Sequence, residues 1–569
     1  MNEQSFSAGR LLALYERVAD APDAIARLRR FVLDLAVRGK LAPQDPADEP
    51  ASVLLKRIAA EKARLVKAGE IKEPKPISFL YDVAAEISSN WAIVPLGEVI
   101  LQHLGGGTPS KSNASYWNGE LRWASVKDVG KSKYLDDTID RITEAGLANS
   151  SSNLIKPGKL LVVMRMGLGK ISINCIPVAI NQDLRALFLS QHVSIDYAYN
   201  FFLTHGFEGT GLTVKGIKLD QLLCIPFPLP PLAEQRRIVA KVDELMALLD
   251  RLEAARRQRE AARDRLTAAS LTRLAAPADL ETARAHARFA LAALPALTTR
   301  PDQIRTLRQT ILNLAVRGKL VEQDPGDEPA AALLKRIATD RGESSKRRKD
   351  IPDFDREALG ELPPNWAAAA LIALGDWAIG SGFPKNEQGL PDGPYFFLKV
   401  SDMNLPKNSK FIVTANNFID DAAAKRMRAA IHTPGTIIFP KIGGAIATNK
   451  RRILTRGSAI DNNCLGITFA RHIDLEWAYL LMTTLDFTLY QAGTAVPALQ
   501  QGTLAAIPVA LPPLAEQHRI VAKVDALMAL CDRLEAALAD ADVARQRLLE
   551  ALLHEALNPV SEPSRKAAE

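Results

Sequence analysis

Metal, thiol and nucleotide chemistry each need residues at set spacings, and this chain lacks the common ones. The eight histidines show no HxxxH or HExxH spacing, and Cys175, Cys224, Cys464 and Cys531 form no CxxC pair. Neither a zinc site nor a disulfide framework is expected, and a reducing compartment fits. Gly130-Lys131-Ser132 resembles the end of a phosphate loop, but Ser125 stands where its first glycine belongs. Gly167-Leu168-Gly169 is too little for a cofactor loop, and no N-P-P-Y or D-P-P-Y tetrapeptide is present. Asp23, Glu70 and Lys72 can be gathered into a nuclease-like trio, but they lie in segments of helical pattern, where charge belongs on a solvated face. No catalytic residue and no metal ligand is assigned.

The chemistry that remains is hydrogen bonding and positive charge at predicted turns. Between residues 89 and 228 the candidates are Thr108, Ser110 and Lys111 in a Gly-rich loop, then Tyr116 beside Trp117, Lys127 and Lys215. In the later half they are Lys385, Lys399, Lys441, the run Asn449-Lys450-Arg451-Arg452, and Gln500 with Gln501. Lysine, arginine and backbone N–H groups on loops hold phosphates, while Asn, Gln, Arg and Lys read base edges. Asn449 to Arg452 is the densest cluster. Taken singly, an exposed lysine is usually only solvated, and Tyr116 and Trp117 read more readily as core aromatics. A net charge of +7 permits a nucleic-acid partner without requiring one.

These residues need something to position them. A chain of 569 residues with 47% apolar and 24% charged side chains has enough core for three to five structural units. The first residues, MNEQSFSAGR, show no signal-peptide pattern, and no apolar run approaches the ~18 residues of a membrane span. A soluble, cytoplasmic protein is expected.

The chain also repeats itself. Residues 28–41, LRRFVLDLAVRGKL, return at 307–320 as LRQTILNLAVRGKL, each followed by QDP-x-DEPA and LLKRIA. Residues 229–255, LPPLAEQRRIVAKVDELMALLDRLEAA, return at 511–537 as LPPLAEQHRIVAKVDALMALCDRLEAA. The two offsets, 279 and 282 residues, indicate one duplication. Between these flanks only sparse markers correspond: Asn90-Trp91 with Asn365-Trp366, Pro157-Gly158 with Pro434-Gly435, and Ala179-Ile180-Asn181 with Ala459-Ile460-Asp461. The frame is repeated and its contents differ, which suits two unlike binding surfaces in equivalent places.

The frame is helical by pattern. Paired prolines suit a helix start, and the glutamate that follows complements the dipole. Ile238, Val242, Leu245, Leu249 and Leu252 then step by four and three, as do Ile520, Val524, Leu527, Cys531, Leu534 and Leu538. Such a heptad seam packs against another helix. One outcome is a coiled-coil homodimer; with two near-identical seams in one chain, the expectation is that they pair with each other. Helices of about 40 residues would span ~60 Å. Arg256, Arg259 and Arg263 interrupt the first seam, and Arg545 the second. Gly39 and Gly318 fit helix C-terminal caps, GESSKRRK at 342–349 reads as an exposed linker, and the tail reads as disordered.

AVRGKL, GGTPSK with Tyr116-Trp117, and LPPLAEQ-x-RIVAKVD at both segment exits resemble the specificity subunits of type I restriction-modification systems, over residues 25 to 557. The resemblance implies an α/β fold with two mixed α/β target-recognition domains. Long antiparallel conserved helices would join them in a pseudo-two-fold arrangement. The division is then a helical segment 1–88, target-recognition domains 89–228 and 351–510, spacer helices 229–276 and 511–558, a central helical segment and linker 277–350, and the tail 559–569. The resemblance further implies a non-catalytic chain that binds a bipartite, asymmetric double-stranded DNA target and no membrane. Half-sites of a two-headed reader lie about one helical turn, ~34 Å, apart. The implied partners are two methyltransferase (modification) subunits and restriction/translocase subunits, which use S-adenosylmethionine, ATP and Mg; this chain itself binds no cofactor. Whether the AVRGKL-QDP-DEPA extensions serve the scaffold or a partner is left open.

Overall fold

The computed structural model describes residues 20–79, 88–205, 216–275, 298–344, 351–493 and 496–557, with a few positions between 282 and 293. Lys215, most of the 342–349 stretch and the tail lie outside the described residues, although Gly342 to Ser344 continue a helix rather than opening a linker. The chain divides into two compact units, one of residues 1–259 with 542–569 and one of residues 260–541.

The first unit opens with helix α1 (Ala24–Val37), which buries Phe31, Val32, Leu33 and Ala36. Gly39 ends it with φ of 69°, the left-handed turn its sequence position suggested. Helix α2 (Ala51–Lys67) starts directly after Pro50 and buries Ala51, Leu54 and Ile58. Asp23 immediately precedes α1, and Glu70 and Lys72 follow α2, so this trio falls at helix margins. The strands are β1 (Ala92–Pro95), β2 (Ile100–Gly105), β3 (Trp117–Ala124), β4 (Tyr134–Leu135), β5 (Asp140–Ile142), β6 (Leu154–Ile155), β7 (Leu160–Val163), β8 (Ile171–Asn174), β9 (Val178–Ile180), β10 (Leu184–Leu189) and β11 (Pro226–Leu229). They form a five-stranded sheet β2-β10-β7-β8-β4, a four-stranded sheet β5-β3-β9-β6 and the pair β1-β11. Strand β7 is buried on both faces because its residues alternate between two cores. Leu160 and Val162 meet the helices, including α3 (Ile195–Thr204), while Leu161 and Val163 meet the second sheet. Helix α4 (Leu232–Ala275) follows the two prolines.

The second unit repeats this plan. Helices α5 (Pro301–Ala315) and α6 (Ala330–Ser344) correspond to α1 and α2. Strands β12 (Ala367–Ala370), β13 (Gly375–Ile379), β14 (Tyr395–Leu398), β15 (Phe411–Ile412), β16 (Phe418–Ile419), β17 (Ile437–Pro440), β18 (Arg452–Leu454), β19 (Ser458–Ile460), β20 (Cys464–Phe469), β21 (Gln491–Ala492), β22 (Ala498–Leu499) and β23 (Pro508–Leu511) follow. The sheet β13-β20-β17-β18-β15 has the order of its counterpart, beside β16-β14-β19, β12-β23 and β21-β22. Helices α7 (Leu475–Thr484) and α8 (Leu514–Leu557) complete it. The long helices α4 and α8 have 44 residues each, ~66 Å of helix. Each begins in one unit and finishes in the other.

Within each unit the heptad seam is covered by the AVRGKL helix. Ile238, Val242 and Leu249 of α4 are buried with Val32, Leu33 and Ala36 of α1. Ile520, Val524 and Cys531 of α8 are buried with Ile304, Ile311 and Ala315 of α5. The reason is proximity in the chain's own unit: the AVRGKL helix supplies a matching apolar stripe, so each seam packs locally. Ion pairs flank both contacts at equivalent places. Arg29 reaches Asp250 and Glu253 at 2.6 and 2.7 Å, and Arg308 reaches Asp532 and Glu535 at 2.6 and 2.8 Å. The extensions thus serve the scaffold.

The QDP-x-DEPA and LPPLAEQ motifs lock to each other. Arg237 pairs with Asp48 at 2.5 Å, as Arg519 does with Asp327 at 2.6 Å. The side chains of Gln235 and Gln517 accept from the backbone N–H groups of Ser194 and Asp474, which start α3 and α7. Their amide nitrogens donate to Pro230 O and Pro512 O. These polar residues of the motifs find their partners within the frame.

Candidate nucleic-acid interface

The sheets bring their loops to one end. In the first unit β2 finishes opposite the start of β10, with Gly105 facing Arg185, and β7 finishes there too, with Val163 facing Leu184. The parallel pair β3 and β9 finishes at Ala124 beside Ile180. The Gly-rich loop, the 125–133 loop, the β7–β8 hairpin and the 181–183 turn therefore leave the same end. They are tightly joined. Gly107 N–H donates to Ile180 O at 3.0 Å, Asn181 N–H to Ala124 O at 3.0 Å, and Met164 N–H to Asp183 O at 2.7 Å. A Cβ on Gly106 would lie 1.9 Å from Ile180 O, so only glycine permits this approach.

Of the candidates in this unit, Thr108, Ser110, Lys111 and Lys127 stand on these loops. Thr108 donates to the side chain of Gln182, Ser110 shares a hydrogen bond with Ser112, and Lys111 and Lys127 are exposed. Tyr116 closes the same connection, through turns that link Ser110 to Asn113 and Asn113 to Tyr116. It precedes the start of β3 and is half-buried, its carbonyl accepting from Thr143. Trp117 packs edge-on against Trp123 with centroids 5.2 Å apart and donates to Ser110 O. Trp123 donates to Gly107 O. These aromatics support the Gly-rich loop from beneath. Gly216, next to Lys215, forms a bridge with Arg165.

The second unit builds the same end from different residues. Ile379 faces Leu465, Pro440 faces Cys464, and Leu398 lies beside Ile460. Ser381 N–H donates to Ile460 O, Asp461 N–H to Leu398 O, and Lys441 N–H to Asn463 O. Lys385 is exposed on the loop after β13. Lys399 is half-buried, its ammonium 2.7 Å from Gln388 Oε1 and 5.1 Å from the Phe383 ring centre. Lys441 and Asn449 lie on the β17–β18 connection, Asn449 with φ of 48°, and Lys450 bonds Asn404. Gln500 is exposed and Gln501 half-buried just after β22, which is tied to Lys441 through Leu499 N–H at 2.9 Å.

Two members of the densest cluster prove to be structural. Arg451 is only 2% exposed, and its guanidinium donates to Met482 O, Leu485 O, Lys450 O and Asn449 Oδ1 while lying 3.7 Å from the Phe487 ring centre. Burial pushes its pKa down to about 9, so it stays charged at neutral pH. Arg452 donates to the carbonyls of Asn408, Met403 and Arg451. Both are spent on backbone acceptors that loops of this length leave unpaired. Arg451 is therefore corrected from a DNA-contact candidate to a core clamp, and Arg452 supports the 403–408 loop. The run looked like a surface patch because sequence alone does not show which loop carbonyls need donors.

Arg165 was missed. It stands alone in the sequence, between Met164 and Met166, with no basic run to mark it. In the structure its side chain is 49% exposed at the loop end and sits 2.9 Å from Asp183. Met166 beside it is 67% exposed with φ of 61°. Among the described residues no group of histidine, cysteine and carboxylate side chains is arranged to hold a metal ion, and no helix is long and apolar enough to cross a membrane.

The family described as type I restriction modification DNA specificity domain matches residues 88–260 and again 383–541, more than half of the chain. The chain belongs to that family. The type I restriction enzyme EcoAI specificity subunit of Escherichia coli is 28% identical to this specificity chain over 590 residues, covering 94% of each. The EcoEI specificity subunit of the same organism is 28% identical over 575 residues, again covering 94% of each. The HsdS subunit of Thermoanaerobacter tengcongensis has a solved structure that is 18% identical, with a TM-score of 0.40, and covers 82% of this chain and 97% of that one. The chain is a type I restriction-modification specificity subunit of mixed α/β fold with two DNA specificity segments, as the motifs in its sequence implied. The frame motifs at 229–255 and 511–537 fall inside or at the edge of the two matched segments, so the match includes frame and loops together.

Proposed function

We propose that residues 89–228 and 351–510 are two target-recognition domains that each read one half of a split, asymmetric DNA target. The long helices would fix the unspecified gap between the halves. The observation that carries this reading is the pair of loop-bearing sheet ends: one backbone plan, held by duplicated frame motifs, presents Thr108, Ser110, Lys111 and Lys127 in one unit and Lys385, Lys399, Lys441, Asn449 and Lys450 in the other. Equivalent places with unlike side chains suit unlike half-targets. The chain supplies no catalytic group in this reading. Two modification subunits would transfer methyl groups to adenine from S-adenosylmethionine, and restriction/translocase subunits would use ATP and Mg. This chain would dock both and bind no cofactor.

Methylation sequencing of host DNA with and without the gene tests the proposal. A gapped adenine motif should vanish with the gene; its persistence would reject the reading. Exchanging residues 89–228 for the corresponding segment of a relative should change one half of the motif only. A change in both halves would rule out two independent readers.

A further inference from the structure

We infer that Arg165 reads a guanine in the half-target of the first unit, and that Asp183 aims it. The inference rests on the DNA-recognition reading above.

The two units can be superposed position by position at this point from their hydrogen bonds alone. Val163 faces Leu184 where Pro440 faces Cys464. Met164 N–H donates to Asp183 O where Lys441 N–H donates to Asn463 O, each at 2.7 Å. Arg165 bridges Gly216 where Ile442 bridges Ala498. Position 165 thus corresponds to 442, and 183 to 463.

The turns beside them carry the same pair of side chains with acid and amide exchanged. In the first unit Asn181 Nδ2 donates to Asp183 Oδ2 at 3.2 Å; in the second Asn463 Nδ2 donates to Asp461 Oδ2 at 3.0 Å. Either order holds the turn. Only the first order places a carboxylate against the β7–β8 hairpin, and only there does this position of the connection carry an arginine. The second unit builds the same turn, and the same first residues of its longer β17–β18 connection, with Ile442 and Asn463, so the Arg165–Asp183 pair is not what forms this junction. A charged pair that the junction does not need, at the end where the loops converge, is a recognition device.

Its geometry fits one base. The Asp183 side chain is 10% exposed and pairs with one terminal guanidinium nitrogen of Arg165 at 2.9 Å, while about half of the Arg165 side chain stays open. An ion pair at one nitrogen restrains the fork and leaves its other N–H donors open, and a planar fork matches the paired acceptors O6 and N7 of guanine in the major groove. Exposed Lys127 and Lys170 flank it, Gly167 leaves room against Val126, and Gly130 against Lys170, so phosphate-binding charge stands on the neighbouring loops.

The test is methylation sequencing of host genomes carrying the full complex with Arg165→Lys, or with Arg165→Ile, Asn181→Asp and Asp183→Asn together. The triple variant installs the residues that the second unit already folds with at these positions, so loss of fold is guarded against; thermal unfolding of the purified complex checks it. Arg165→Lys keeps the charge and loses the fork. Both should lower preference for guanine at one position of the half assigned to residues 89–228 by about 5- to 150-fold. The other half and the thermal midpoint should stay unchanged. An unchanged motif, a wild-type half-motif with no guanine on either strand, or a loss spread evenly over all positions would each overturn the role of Arg165. A wild-type genome with no gapped motif would overturn the recognition reading itself.

Discussion

The indole nitrogen of Trp91 donates to Glu234 Oε2 at 2.9 Å, and Trp366 repeats the bond to Glu516 Oε2 at the same length. In each unit this joins the residue that leads into the first strand to the first turn of the long helix, in a buried setting. Gly39 and Gly318 make room for it, since a Cβ on either would lie 3.1 Å from Cζ2 of the same tryptophan. One glutamate therefore caps a helix dipole and anchors an aromatic side chain.

Glu234→Ala should destabilise the first unit by about 1–3 kcal/mol, because it leaves a buried indole N–H without an acceptor. Glu234→Gln keeps an acceptor and should lie much nearer the wild type. Their pH dependence separates charge from hydrogen bonding. Burial holds the Glu234 carboxyl above the ordinary carboxylate range, with the Trp91 N–H opposing it; Glu516 is raised for the same reason. A native carboxyl raised above its unfolded value binds the proton more tightly when folded. Its contribution is therefore fully present at pH below about 4.3 and is lost as pH rises through the raised native value. Glu234→Gln should flatten this fall in thermal or denaturant unfolding. The flattening should exceed that of Glu516→Gln, because Glu516 Oε1 accepts from Gln323 whereas Glu234 Oε1 has no partner among the described residues.

The seam and its ion pairs should differ in weight. Ile238 is fully buried against α1, and Ile238→Ala should cost about 2–5 kcal/mol. Arg29 is a third exposed and its partners more so, and Arg29→Ala should cost about 1 kcal/mol or less. Unfolding in urea at low and high salt compares them. A larger effect for Arg29 would mean that charge rather than packing holds α1 on α4.

Arg451→Leu should act on stability before specificity. It strands the carbonyls of Met482 and Leu485, and two orphaned acceptors cost about 3 kcal/mol or more together. Recognition of a whole half-target should weaken, as a loosened second unit requires. A clean change at one base pair, with the thermal midpoint intact, would restore Arg451 to the surface.

Lys111 and Lys127, exposed on the converging loops, should hold phosphates rather than bases. Replacing either with alanine should weaken binding of the assembled complex evenly across target variants. The slope of log affinity against log salt should become shallower by about 1 for each phosphate that is no longer neutralised. An altered base preference would instead place that lysine in a groove.

The frame was legible in the sequence because its signals are local and stated twice. Heptad spacing, paired prolines and the Gly39 and Gly318 caps act within a few residues, and duplication separates them from chance. Convergence of the loops was not legible. It depends on strand order, which brings Gly106, Val126, Gly167 and Asn181 together from distant stretches of chain.

The sequence by itself determined the helices, the duplication and the family. Only the tertiary structure decided that each seam packs on the AVRGKL helix of its own unit, that Arg451 is core, and that Arg165 is not. The physical reason is the same in all three cases. An apolar stripe or a guanidinium is satisfied by whichever partner the fold brings near, and that partner lies roughly 20 to more than 200 residues away in the chain.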